Sequence, residues 1–207
     1  MDSTATIAHA LQQAFTLVRI ANPSLADCKQ VIGLGLQEAL EQIAPAQSVA
    51  DYQAVASAYR QFYAQKDEHI CLFDGVLEGI QSLAITHTLA VATGKSRRGL
   101  DIALNSSGLG HYFSVTRCAD ESFSKPHPQM LHDILDYTGE RAANAVMIGD
   151  TSHDMQLAIN AHMDKIAVSY GAHTVAELHA FNPLWIADTF SQITQWASTP
   201  ASTGGPA

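Results

Sequence analysis

Three short stretches of this sequence put a hydroxyl, a glycine, a lysine or carboxylates where an apolar run gives way to a helical pattern. The first is Val91-Ala92-Thr93-Gly94-Lys95-Ser96. Thr93 offers a hydroxyl that can donate to an anionic oxygen, and Gly94 lets a backbone N–H approach the same oxygen closely. A helix beginning near Ser96 would aim its N-terminal amides at that anion. The second is Ser124-Lys125-Pro126-His127-Pro128. Pro126 holds Lys125 extended, Pro128 suits the first turn of a helix, and the lysine is a point charge for a phosphate or carboxylate. The third is Val146-Met147-Ile148-Gly149-Asp150-Thr151-Ser152-His153-Asp154. If a helix starts near Thr151 or Ser152, Asp150 and Asp154 lie about one turn apart and can face one site. Converging hard oxygens are what Mg²⁺ requires.

Each stretch also has a plainer explanation. A strand-to-helix turn with a serine cap is commonplace, a loop lysine can simply be solvated, and acids favour a helix N-terminus through its dipole. Taken together, the three supply a lysine, a hydroxyl, a glycine amide and two carboxylates around a metal and a phosphoryl group. That is a phosphoryl-transfer constellation, in which positioning and charge stabilisation provide most of the rate. Gly33-Leu34-Gly35 is different: it follows no strand and lacks both a third glycine and a Gly-Lys-Ser/Thr ending, so it makes neither a dinucleotide fingerprint nor a P-loop.

The elements that must position these residues fall into two halves. Up to about residue 68 the pattern is helical. Ile7, Leu11, Ala14, Phe15 and Val18 recur at three and four, with Asp2, Ser3 and Thr4 as candidate caps. Asn22-Pro23 stops that helix, and Pro23 suits the first turn of the next. Leu36, Leu40 and Ile43 continue until Pro45, and Tyr52, Val55, Tyr59 and Phe62 form a last stripe. From residue 70 β-prone runs alternate with helical ones. Strands are expected at Thr88 to Ala92, Ala145 to Ile148, Lys165 to Ser169 and Leu184 to Ala187, and a weaker one at Phe113 to Thr116. Helices are expected near 76–84, 97–106, 128–138, 154–161 and 174–180. Runs apolar throughout suit strands buried on both faces of a parallel sheet, and the alternation predicts a doubly wound α/β domain. The chain therefore divides into 1–69 helical, 70–196 α/β, and a disordered Ser/Thr/Gly/Pro/Ala tail over 197–207.

Composition narrows the function classes. The chain has 207 residues, 47% of them apolar and 15% charged, enough for a good core. No stretch is long and apolar enough to span a membrane, and Asp2 with Arg19 is the wrong layout for a secretory signal. Twenty acidic against eleven basic residues give a net charge of −9, poorly suited to nucleic acid. Cys28, Cys71 and Cys118 are odd in number and far apart, which fits neither a disulfide framework nor a zinc ribbon and suits a reducing cytoplasm. The ten histidines show no metal-ligand spacing, and most read as surface or turn residues.

With these motifs in order and at these spacings, the sequence resembles the haloacid dehalogenase superfamily, most closely its phosphoglycolate-phosphatase-like branch. The likeness runs from Asp2 to about residue 196. Thr93 matches the family's second motif, Lys125 in Lys-Pro-x-Pro the third, and Gly149-Asp150-x-x-x-Asp154 the fourth. The resemblance implies a Rossmann-like parallel sheet carrying a helical cap (residues 1–69), with Leu72-Phe73-Asp74-Gly75-Val76 as the return to the core. It implies that Thr93, Gly94 and Lys125 hold the phosphoryl group, that Thr93, Lys125 and Asp154 serve catalysis, and that Asp150 binds Mg²⁺ with Asp154 supporting it directly or through water. It further implies a small phosphorylated metabolite such as phosphoglycolate as substrate, and a cytoplasmic monomer or homodimer with no nucleic-acid or membrane partner.

At the family's first motif, Asp-x-Asp-Gly-Thr-Leu, the sequence departs from the pattern. That motif carries the attacking aspartate and the general acid/base on a central strand. No Asp-x-Asp occurs in the 207 residues, and Met1-Asp2-Ser3-Thr4 resembles the residues immediately C-terminal to the motif. Asp67-Glu68 and Asp120-Glu121 are the nearest acidic groupings, and neither is expected after a buried strand. Two inner strands are therefore expected to lack a neighbour. The expectation is that about 10–20 further residues, a strand plus the motif, belong ahead of Met1. The 207-residue chain is expected to hold a phosphoryl group without turning it over. A non-catalytic binding or regulatory protein and a phosphomutase are the alternative functions. The metal-binding carboxylates argue against dehalogenation.

Overall fold

The computed structural model describes residues 1–65 and 71–199. Four helices come first: α1 (Thr4–Val18), α2 (Leu25–Gln30), α3 (Leu36–Ile43) and α4 (Val49–Ala64). Their apolar stripes close on one another. Phe15, Leu40 and Val55 are fully buried in a cluster drawn entirely from these helices and their connections. Burial of each such side chain contributes roughly 1.5–3 kcal/mol. Capping boxes start two of them: Ser24 with Asp27 opens α2, and Ser48 with Asp51 opens α4. Pro23 therefore lies just ahead of the α2 cap and outside its first turn, because Ser24 can satisfy an orphan amide and a proline cannot.

The α/β half runs α5 (Val76–Leu83), β1 (Leu89–Thr93), α6 (Arg97–Ser107), β2 (Phe113–Cys118), α7 (Gln129–Thr138), β3 (Val146–Gly149), α8 (Ser152–Asn160), β4 (Asp164–Val168), α9 (Val175–His179), β5 (Ile186–Ala187) and α10 (Phe190–Ser198). Every expected strand is present within a residue or two. The helix α10 is an addition, and it carries the last element into residues expected to be tail. The boundary drawn at residue 69, the Asp67-Glu68 pair and most of the 197–207 tail lie outside the described residues.

All strand pairs are parallel, yet they form two sheets: β1 with β2, and β3-β4-β5 in that order. One helical layer serves both. Leu131 and Ile134 of α7 and Leu157 of α8 share a cluster that takes in Ala92 of β1, Val115 of β2 and Met147 of β3. Thus β1 and β3 each have one bonded neighbour, and no ladder joins them among the described residues. Burial follows the pairing. Ile166 and Ala167 of the doubly paired β4 are fully buried, whereas Ile148 of β3 is 36% exposed and Ala90 of β1 is exposed.

Candidate active site

The three chemistry-bearing turns all lie at strand C-termini, where an open α/β sheet places its ligands. Thr93 ends β1. Its hydroxyl oxygen accepts from the Lys95 amide at 3.1 Å, which leaves the O–H proton to be donated elsewhere. Ser96 caps α6 by accepting from the Gly99 amide, so the helix begins where the sequence put it. Lys125 and Asp154 form a buried ion pair: Nζ donates to Oδ1 at 2.6 Å, with the residues 6% and 4% exposed. The other carboxylate oxygen of Asp154 accepts from the Asp150 amide (3.2 Å), the Thr151 amide (3.1 Å) and the Thr151 hydroxyl (2.8 Å). Asp154 is thus the third residue of α8 turned back on its Thr151 cap. Burial opposes its ionisation, but Lys125 and these donors together hold its pKa below the ordinary carboxylate value.

Asp150 sits in the opposite situation. Burial, reinforced by the Asp154 charge, pushes its pKa up. Its Oδ2 accepts from the Ala172 amide at 2.8 Å, and its carbonyl accepts from the His173 amide at 3.1 Å. The loop after β4 can wrap this closely because residue 171 is glycine: a methyl there would collide with the Asp150 carboxylate. Gly149 plays the same part toward Asp154. The Met1 α-amine lies in the same mouth. Burial lowers its pKa, and it feels the charges of both Asp150 and Lys95. The Asp2 amide donates to the Cys71 carbonyl at 2.9 Å, which fixes the first residues against the segment entering α5.

The helical half reaches into this site through three consecutive residues. Gly33 packs on Thr151 at φ 101°, a left-handed conformation suited to glycine. The carbonyls of Gly33 and Leu34 press on Gly94 so closely that a methyl on Gly94 would collide with them. The Gly35 amide donates to Ser124 Oγ at 2.7 Å. Consecutive α-carbons are about 3.8 Å apart, so one segment of about 8 Å touches all three turns. The Gly33-Leu34-Gly35 loop, which matched no phosphate motif, lies directly over the site. Further contacts join the two halves: His153 Nε2 to the Gln30 carbonyl (2.9 Å), Gln30 Nε2 to Glu177 (2.6 Å), and Lys95 Nζ to the Tyr63 hydroxyl (2.7 Å).

Arg97, the first residue of α6, is engaged away from the three turns: its guanidinium is bound by Glu121 (2.7 Å to each oxygen) and Thr116 (2.8 Å) beside β2. The Glu121 bond in particular raises its pKa. Asp120-Glu121 does follow a strand, β2, but Asp120 caps the Arg97 amide at 2.8 Å and Glu121 pairs with Arg97, so neither faces the site. His173, in the turn between β4 and α9, is 3% exposed. No side chain in the sequence pattern pointed to it. Gly33 and Gly171 likewise carry no local sequence signal, because their contacts with Thr151 and Asp150 span long separations.

A hard cation would find one carboxylate here. Asp150 has a desolvated charge that a cation would stabilise, while Asp154 already serves Lys125, Thr151 and the Asp150 amide. No group of three or more His, Cys, Asp or Glu side chains gathers as a metal site among the described residues. That sparse donor set fits Mg²⁺, which keeps several waters and takes one or two carboxylates plus substrate phosphate, and would not fit a fully protein-caged metal.

Comparison with known proteins agrees with this arrangement. The model of the family described as haloacid dehalogenase-like hydrolase matches residues 1–168. The chain is 38% identical over 173 residues to the protein named Probable phosphatase IndB of Dickeya dadantii (strain 3937), covering 80% of this chain and 74% of that one. It is 27% identical over 172 residues to a phosphoglycolate phosphatase of Colwellia psychrerythraea (strain 34H / ATCC BAA-681), covering 78% and 76%. The crystal structure of a hydrolase from Pseudomonas syringae superposes with a TM-score of 0.86 at 18% identity, covering 94% and 91%, a likeness of fold.

Proposed function

The chain belongs to the haloacid dehalogenase-like hydrolase family, and on that premise we propose that it serves a Mg²⁺-dependent phosphatase acting on a small phosphorylated metabolite, with phosphoglycolate as the first substrate to try. One observation carries the reading: Gly33, Leu34 and Gly35 touch the Thr93-Gly94, Ser124-Lys125 and Asp150-Thr151 turns at once. In this reading the Thr93 hydroxyl, the Gly94 amide and the Lys125 ammonium hold the phosphoryl oxygens. Lys125 has two N–H bonds beyond the one given to Asp154. Asp150 carries the metal, which when bound supplies charge neutralisation to the phosphoryl group. Asp154 serves both neighbours from behind, fixing Lys125 on one side and the Asp150 amide on the other. The four N-terminal helices act as the cap, and their Gly33–Gly35 loop excludes water from the strand ends. A cytoplasmic monomer or homodimer is part of the same proposal.

The attacking carboxylate is the piece these residues do not provide. The edges of β1 and β3 left without a ladder among the described residues, on strands that share one helical layer, support a place for one more parallel strand, and the family's Asp-x-Asp would stand at its end. The 207-residue chain is accordingly a holder of phosphate and metal, and turnover needs that strand. The test compares para-nitrophenyl phosphate hydrolysis by the 207-residue chain and by the same chain preceded by an apolar strand ending in Asp-x-Asp. No turnover is expected from the first, and Mg²⁺-dependent turnover from the second. Hydrolysis by the shorter chain would mean that the nucleophile lies elsewhere. An inactive longer chain would favour the second reading, a phosphate-binding protein without catalysis, which the lack of Asp-x-Asp in these residues supports.

A further inference from the structure

His173 lies 19 residues beyond Asp154 and belongs to none of the three motifs, yet two of its own groups reach the Asp150 turn. Its backbone N–H donates to the Asp150 carbonyl at 3.1 Å. Its ring Nδ1 accepts from the Ser152 backbone N–H at 3.0 Å. Nδ1 is therefore the unprotonated nitrogen, and the neutral ring carries its proton on Nε2. The Ser152 amide is one of the first-turn donors of α8 that no carbonyl within the helix can satisfy. Thr151 and Asp154 satisfy each other, so this orphan is left to the imidazole. The adjacent amide, Ala172 N–H, holds Asp150 Oδ2 at 2.8 Å. Consecutive residues thus grip Asp150 by its carboxylate, its carbonyl and the amide two positions on.

The ring has few alternatives. It is 3% exposed, and its Nε2 is buried without a hydrogen-bond partner among the described residues. It meets the ring of His153 edge to face, with centroids 5.4 Å apart. His153 in turn bonds the Gln30 carbonyl of the helical half at 2.9 Å. A buried orphan N–H is costly, and a leucine of similar bulk would avoid that cost. Retention of an imidazole here is explained by the acceptor it presents to Ser152.

We propose that His173 is a positioning residue of the Asp150 turn, fixing it from behind through the Asp150 carbonyl and the Ser152 amide while the adjacent Ala172 amide holds the carboxylate. This rests on the reading of Asp150 as the metal carboxylate only for its consequence in metal binding; the clamp itself is a statement about residues 150–152. Groups that orient a metal ligand typically change affinity 10–100-fold when removed.

Two variants of the full chain separate this from a general packing role. His173→Asn keeps an acceptor at the same reach from the backbone, and His173→Leu keeps bulk without one. The measurement is residue-resolved amide exchange, with the Ile166 amide of β4 reporting global stability. In His173→Leu, Ser152 protection is expected to fall about 10-fold or more beyond any change at Ile166, and His173→Asn is expected to recover it to within about threefold. Titration with MgCl₂, read from the Asp150 amide shift, should show a midpoint raised about 10–100-fold in His173→Leu and near normal in His173→Asn. Unchanged Ser152 protection in His173→Leu would overturn the proposal. So would a loss shared equally with Ile166, or an asparagine variant as impaired as the leucine one. Absence of any Mg²⁺-induced shift in the parent protein would count against Asp150 as metal carboxylate, while the exchange result would still decide the clamp.

Discussion

The four-helix half and the strand-end half of this molecule solve the same problem with different degrees of independence. In α1 to α4 the backbone bonds are internal to each helix, and the apolar faces close on one another around Phe15, Leu40 and Val55. The apolar core of this half closes without the sheet, although the Gln30 carbonyl and the Gly35 amide at its edge are partnered by His153 and Ser124. In the α/β half, β1 and β3 depend on neighbours for half of their backbone partners and much of their cover. Each has one neighbour among the described residues, and Ile148 and Ala90 stay exposed. A helix carries its own hydrogen-bond completion, whereas a strand borrows it. The chemistry of this protein is concentrated in the half that borrows.

The largest test of that contrast is at Lys125. In the longer, Asp-x-Asp-bearing protein, Lys125→Ala is expected to lower kcat by about 10²-fold or more, the usual loss for one electrostatic contact in a shielded site. In the 207-residue chain the same change strands a buried Asp154 charge and should cost about 3–5 kcal/mol in a denaturant melt at neutral pH. A cost below about 1 kcal/mol, the range of exposed pairs, would show that water reaches it. On the helical side, Phe15→Ala should cost about 3–5 kcal/mol in either protein, because that core does not involve the sheet. A cost that differs between the two proteins would break the claim of independence.

Next in size is a pair of opposite pH effects. The Asp154 pKa is lowered in the fold, so its contribution is complete above the unfolded carboxylate range and fades as pH falls through the lower, folded value. The Asp150 pKa is raised by burial and by Asp154, so the folded state binds its proton more tightly than the unfolded chain. Its contribution therefore becomes unfavourable as pH rises through the interval above the unfolded value. Asp150→Asn should accordingly raise the thermal midpoint more at pH 7 than at pH 4, and Mg²⁺ should stabilise the parent but not the variant. Equal gains at both pH values would remove the burial argument. Smallest is Ile148→Ala, expected to cost under about 1 kcal/mol in the 207-residue chain because Ile148 is partly exposed, and about 2–5 kcal/mol once a strand covers it. An equal cost in both proteins would mean that the added strand lies elsewhere.

Much of this organisation is legible in the sequence. Apolar runs ending in Thr93 and Gly149-Asp150 mark strand ends, and strand ends are where such sheets bind ligands. Even the break between β1 and β3 is expected from the missing motif. The features that sequence patterns do not disclose act through the backbone or across long sequence separations. Gly33 and Gly171 matter because a methyl would collide with Thr151 or Asp150, and no local pattern records a contact between residues 33 and 151. His173 contributes one ring nitrogen to an amide 21 residues away. The Arg97–Glu121 pair joins residues 24 apart, a partnership that no local pattern records. The helix α10 lacks a capping box and runs into the Ser/Thr/Gly/Pro/Ala composition of the tail, so the sequence predicts no helix there.

The position of Met1 has a practical consequence for anyone handling the protein. Its amine shares the mouth with Asp150 and Lys95, and the next amide is tied to Cys71. A purification handle fused there would deliver its final residues against the Asp150 carboxylate, and a polyhistidine one would bring metal-binding side chains of its own. Fusions belong beyond α10 instead, so that whatever is measured at the strand ends reports the protein rather than its label.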